Sequence, residues 1–106
     1  MPFVNLTPHE IKIYDENDQL VATVPPSGTV ARVSVTYKKV GRFEMAPLYK
    51  AKYGSVEDLP DPKPGIMYIV SGMVKAAIPD REDVTAPGEL IRDPNGKPIG
   101  CRGLKY

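Results

Sequence analysis

Twelve prolines and nine glycines, dispersed through 106 residues, constrain this chain more than any other feature. Proline fixes φ and removes a backbone donor, and glycine weakens the interior of helix and strand alike. Their spacing leaves little room for long helices, so the sequence predicts many short elements joined by tight connections. Leu, Ile, Val and Phe fill 26 positions, enough for collapse around a core rather than disorder. The length suits one compact domain, with no room for a second core.

Within that punctuation the apolar pattern is that of strands. Val4, Leu6, Ile11, Ile13 and Tyr14 surround a Thr7-Pro8-His9 break, and residues 10–14 alternate polar and apolar, as in a half-buried strand. A polar turn at Asp15-Glu16-Asn17-Asp18 and a return strand over 19–24 complete a first hairpin, which Pro25-Pro26-Ser27-Gly28 ends. Residues 29–37 are rich in β-branched side chains, which favour a pleated surface. A polar stretch with Gly41 reads as a break, and residues 43–53 as a further strand or two short ones. Residues 57–65 form a proline-rich surface loop, and the apolar run 66–70 predicts a central strand buried on both faces. Ser71 stands where a helix N-cap belongs and Pro79 where the helix must stop. Between them Met73, Val74, Ala77 and Ile78 line one side of a short helix. Residues 80–83 are a charged turn, and Pro87-Gly88 reads as another break. Residues 89–93 and 98–104 flank Pro94-Asn95-Gly96-Lys97, where Asn-Gly is a strong hairpin signal. The expected fold is therefore α+β: a mainly antiparallel or mixed sheet carrying one short helix.

Charge and cysteine usage narrow the partners. A net charge of +1 creates no global field for nucleic acid or an anionic membrane. The single cysteine, Cys101, cannot form an internal disulfide and points to the reducing cytoplasm. The first residues lack the basic and apolar regions of a signal peptide, and the longest apolar run is far too short to span a bilayer.

Motifs that carry chemistry are absent. There is no glycine-rich phosphate loop, no Gly-x-Ser-x-Gly elbow, and too few His and Cys for zinc. His9 and Cys101 are a conceivable nucleophile pair, but no local signature supports it, and a small buried cysteine and a turn histidine are the favoured reading. Asp80, Glu82 and Asp83 around Arg81 read as a solvated turn with a local ion pair. Six basic residues (Arg32, Lys38, Lys39, Arg42, Lys50, Lys52) stand against Glu44 alone, interleaved with Tyr37, Phe43, Tyr49 and Tyr53. Such a stretch can hold phosphates and stack bases, or be a sheet whose solvent face is basic. Arg81, Arg92 and Arg102 are stronger anion candidates, because the guanidinium fork suits phosphate and carboxylate. Arg92 and Arg102 lie on the two arms of the last hairpin but not opposite each other, so they would converge across an oligomer interface. The competing role is pairing with Asp83 and Asp93.

The segments Asn5-Leu6-Thr7-Pro8-His9, Tyr68-Ile69-Val70-Ser71, Arg92-Asp93 and Ile99-Gly100-Cys101-Arg102 resemble a family of small, mostly uncharacterised bacterial and phage proteins. The similarity also takes in Val74, Pro79, Arg81, Asp83, Gly96 and Leu104. It implies a phage or prophage origin and transfers no catalytic residue. With it, the ligand-binding candidates are Arg81, Arg92, Arg102, Asp83, Ser71 and His9. No cofactor and no metal are expected. The leading expectation is a homo-oligomeric binding protein that sequesters an anionic small molecule, such as a nucleotide signal of bacterial immunity. The alternatives are a structural or protein-interaction component of a phage and, third, a small hydrolase.

Overall fold

The computed structural model describes residues 2–106. More than half of the chain is strand: β1 (Phe3–Asn5), β2 (Ile11–Tyr14), β3 (Leu20–Val24), β4 (Arg32–Phe43), β5 (Ala46–Glu57), β6 (Met67–Ile69), β7 (Val84–Arg92) and β8 (Pro98–Lys105), with one helix, α1 (Gly72–Ala77). Six strands form a mixed sheet in the order β1-β6-β7-β8-β2-β3. β1, β6 and β7 run parallel, as do β2 and β8, while β7/β8 and β2/β3 are antiparallel.

The sheet curls until its two edges meet, a closure that the sequence reading of an antiparallel or mixed sheet with one short helix does not specify. Asn5 at the end of β1 forms a parallel bridge to Pro26 just beyond β3, and the Ser27 amide donates to the Asn5 carbonyl at 3.0 Å. The result is a nearly closed six-stranded barrel. Curling is the physical answer to two short edge strands whose amides would otherwise be left free.

β6 alternates between two cores. Ile69 points into the barrel with Ile11, Ile13, Val24 and Cys101, while Tyr68 and Val70 face an outer cluster with Leu6, Ala31, Val74 and Val84. This is the doubly buried strand expected for residues 66–70. Helix α1 covers the outer cluster. Ser71 caps it, its hydroxyl accepting from the Val74 amide at 3.2 Å. Of the expected apolar stripe, Val74 is buried while Met73 is exposed.

Two breaks turn out to be continuous strand. β4 runs through residues 38–41 and reverses at Glu44, whose φ is 51°, and β5 is one strand of twelve residues. β7 likewise continues through Pro87 and Gly88. β6 pairs with β7 only at Val84 and Thr85, so Pro87 lies where one edge is free and a missing N–H is tolerated. The β4/β5 ribbon is a separate two-stranded sheet that leaves the barrel as an arm. Every residue from 36 to 55 is exposed. The radius of gyration, 16.2 Å, exceeds the roughly 13 Å of a compact chain this long.

Candidate binding site

The arm meets the barrel at a cross-strand pair, Val33 with Val56, half-buried against the outer core. The ladder then shifts register between Val33 and Val35. A β-bulge there re-aims the side chains next to it. Together with the start of α1, this junction encloses a cleft of about 420 Å³ lined by Ala31, Arg32, Val33, Ser34, Ser55, Glu57, Ser71, Met73 and Val74. Such a volume suits a small ligand. Its apolar floor is Ala31, Val33 and Val74, and its polar groups are three serine hydroxyls, one guanidinium and one carboxylate. Among the described residues, the Arg32 guanidinium has no ion-pair or hydrogen-bond partner. A second, more open cleft beside Pro2, Phe3 and Tyr106 sets Glu82 and Asp83 against a single Lys63, a balance unsuited to an anion.

The arginines singled out from sequence are engaged within the chain. Arg81 grips Asp83 with both prongs of its fork, Nε to Oδ1 and Nη2 to Oδ2 at 2.7 Å, and Nη2 also donates to the Pro60 carbonyl at 3.1 Å. This bidentate bond holds the Asp83 carboxyl below its ordinary range and raises Arg81 further. With the Tyr68 hydroxyl donating to the Asp61 carbonyl at 3.2 Å, it pins the proline-rich loop to the barrel. Arg102 donates to Asp18 at 2.8 Å and to Glu89, tying the first hairpin to the last. Arg92 donates to the Gly96 carbonyl at 2.8 Å within its own turn.

Asp83 is therefore brought to Arg81. Arg81, by contrast, precedes β7 and Arg92 is its last residue, with the strand itself, about 26 Å long at the usual rise, between them. Within one chain the three arginines form no single surface. His9 is exposed and bonds through its backbone: its carbonyl accepts from the Asn5 side chain at 2.8 Å and its N–H donates to the Thr7 hydroxyl at 3.4 Å. Cys101 is buried, its thiol pushed up by desolvation and directed at the Lys12 carbonyl. A thiol so placed is a poor nucleophile.

Of the six candidates only Ser71 lines the cleft. Ser34 and Ser55 escaped singling out, and Arg32 was named only within the basic stretch, because their meeting depends on the arm returning beside α1, which no local spacing encodes. Their one sequence signal is Arg32 at the head of the basic stretch. Among the described residues no three His, Cys, Asp or Glu side chains group as a metal site, and no helix is long and apolar enough to cross a membrane. Comparison with protein-family models, with curated proteins and with solved structures finds no match to this chain.

Proposed function

We propose that the chain is a binding protein that captures an anionic small molecule of the nucleotide class and releases it unchanged. The observation that carries this reading is the cleft at the base of the arm. The Arg32 guanidinium, unpartnered among the described residues, and three hydroxyls stand there over an apolar floor, with one carboxylate, Glu57, on the same wall. Cation, hydroxyls and apolar floor are the kinds of surface that a phosphate and a base require together. Sequestration of a nucleotide immune signal is the role that we propose for it, given the phage or prophage origin that the family resemblance implies. In that reading it acts as a homo-oligomer. Arg81, Arg92 and Arg102 would join the site only by exchanging their present partners across a subunit boundary.

Calorimetric titration with AMP, cyclic AMP and cyclic di-AMP tests the reading. At least one of these is expected to bind and to be recovered intact after incubation. Arg32→Ala removes a charge-assisted contact of ~1.5–3 kcal/mol, so it should weaken that binding about tenfold or more while leaving the melting temperature unchanged. Equal affinity in the variant would place the site elsewhere, and failure of all three probes to bind would remove the nucleotide reading.

A further inference from the structure

The exposed arm has a physical problem that the chain alone does not solve. A two-stranded ribbon with both faces in water is marginally stable, yet this one is twelve residues long on each side. On one face Val35, Tyr37 and Lys39 pair across with Tyr53, Ala51 and Tyr49. Tyr37, Phe43, Tyr49 and Tyr53 are 68%, 69%, 56% and 40% exposed. At ~200 Å² for each aromatic side chain, these four alone leave about 450 Å² in water, over half of the ~800 Å² that each partner buries in a stable interface.

On the other face Lys38 stands directly opposite Lys50, with Lys52 two residues on. Like charges in direct register repel. Six of the chain's 14 basic residues and one of its 13 acidic residues lie between positions 32 and 53. That leaves eight basic against twelve acidic residues outside this stretch. The arm thus carries an excess of five positive charges, and the rest of the chain an excess of four negative ones.

The negative charge is gathered as well as abundant. Arg81 bonds both to Asp83 and to the Pro60 carbonyl, which brings the acidic turn after α1 against the acidic proline-rich loop. Asp58, Asp61, Asp80 and Glu82 are all exposed there; the Arg81 guanidinium beside them is already neutralised by Asp83, and Lys63 and Lys75 are the nearby cations.

We infer that the arm docks on the barrel of a second copy of this chain, its lysine face meeting the acidic face of Asp58, Asp61, Asp80 and Glu82. From Val33 to the turn the ribbon reaches out by roughly 30 Å, so most of its length lies beyond its own barrel. Nucleic acid would satisfy the lysines but would leave the acidic face unmatched. The inference is independent of the cleft reading, because it concerns assembly and not the ligand.

Sedimentation with complementary charge-reversed chains tests it. Wild-type protein should sediment as an oligomer that loosens in roughly 1 M salt, where screening is nearly complete. One variant carries Lys38→Glu, Lys50→Glu and Lys52→Glu; the other carries Asp61→Lys, Asp80→Lys and Glu82→Lys. Each alone should assemble about 100-fold more weakly while keeping the circular dichroism of the parent. Mixed together they should assemble again, since each arm then faces an opposite charge. A monomeric wild type, an assembly indifferent to arm reversal, or a mixture that stays dissociated would each overturn the inference. So would a wild type that stays monomeric until single-stranded DNA is added.

Discussion

Asn5 shows how much one buried amide can organise. Its side-chain nitrogen donates to the His9 carbonyl at 2.8 Å and to the Val24 carbonyl at 3.1 Å. Its oxygen accepts from the Thr7 amide at 2.9 Å and the Thr7 hydroxyl at 2.6 Å. The stretch from Asn5 to His9 is thus the clasp of the barrel. Asn5→Ala leaves the Val24 carbonyl and the Thr7 amide without partners in a dry setting. Each orphaned group costs ~1–3 kcal/mol, so the variant should lose about 2–4 kcal/mol of stability by urea unfolding. A loss below about 0.5 kcal/mol, within the range of an ordinary surface change, would show that the clasp is dispensable. The carboxylates of Asp15 and Asp93 act in the same manner at two turns of common design. Each accepts from the amides two and four residues on, at 2.8–3.0 Å. The left-handed position is filled by Asp18 in one turn and by Gly96 in the other.

Elements defined by their own residues were legible in the sequence. The two turned hairpins, the helix between Ser71 and Pro79 and the doubly buried β6 all follow from spacing within a dozen residues or fewer. The length of the arm was not legible, because a ribbon wet on both faces shows no apolar alternation to distinguish strand from loop at residues 38–41. Barrel closure was hidden for a different reason: it joins β1 to residues after β3 through a single backbone bridge and the Asn5 side chain. The cleft was hidden likewise, since it exists only where arm, bulge and helix meet. Pro87-Gly88 misled because both residues usually interrupt strands. Gly88 instead serves the β7/β8 pairing. A Cβ there would lie 2.5 Å from the Arg102 carbonyl oxygen, which is fixed backbone with no room to yield. Gly88→Ala should cost about 2 kcal/mol, within the range for overpacking, with a lowered urea midpoint as the measure. An unchanged midpoint would show that the two strands can part without penalty.

At the scale of the whole molecule, stability is tied to acid by Asp83. Its folded carboxyl titrates below the ordinary value of 3.8. The stabilisation is therefore fully present above about pH 4 and is lost as pH falls toward the folded value. Asp83→Asn gives up the ion pair at neutral pH, and its stability should change less than that of the parent as pH drops from 5 to 2. Parallel stability curves for the two proteins in melting experiments across that interval would show that the pair with Arg81 contributes nothing to acid sensitivity. The loop it holds carries Asp61, so the same acid limb should also weaken the assembly inferred above.

The barrel's wiring also fixes the order in which it can form. Phe3 must find Met67 and Ile13 must find Cys101, pairings that no local search supplies, whereas the arm closes entirely between near neighbours in sequence. Topologies dominated by such distant pairings refold in milliseconds to seconds. The clasp at Asn5 joins edges that meet only after β6 and β8 are in place. In stopped-flow experiments Asn5→Ala should thus hasten unfolding and leave the refolding limb almost unmoved. The clasp then governs how long the barrel stays shut, and hardly affects how fast it closes.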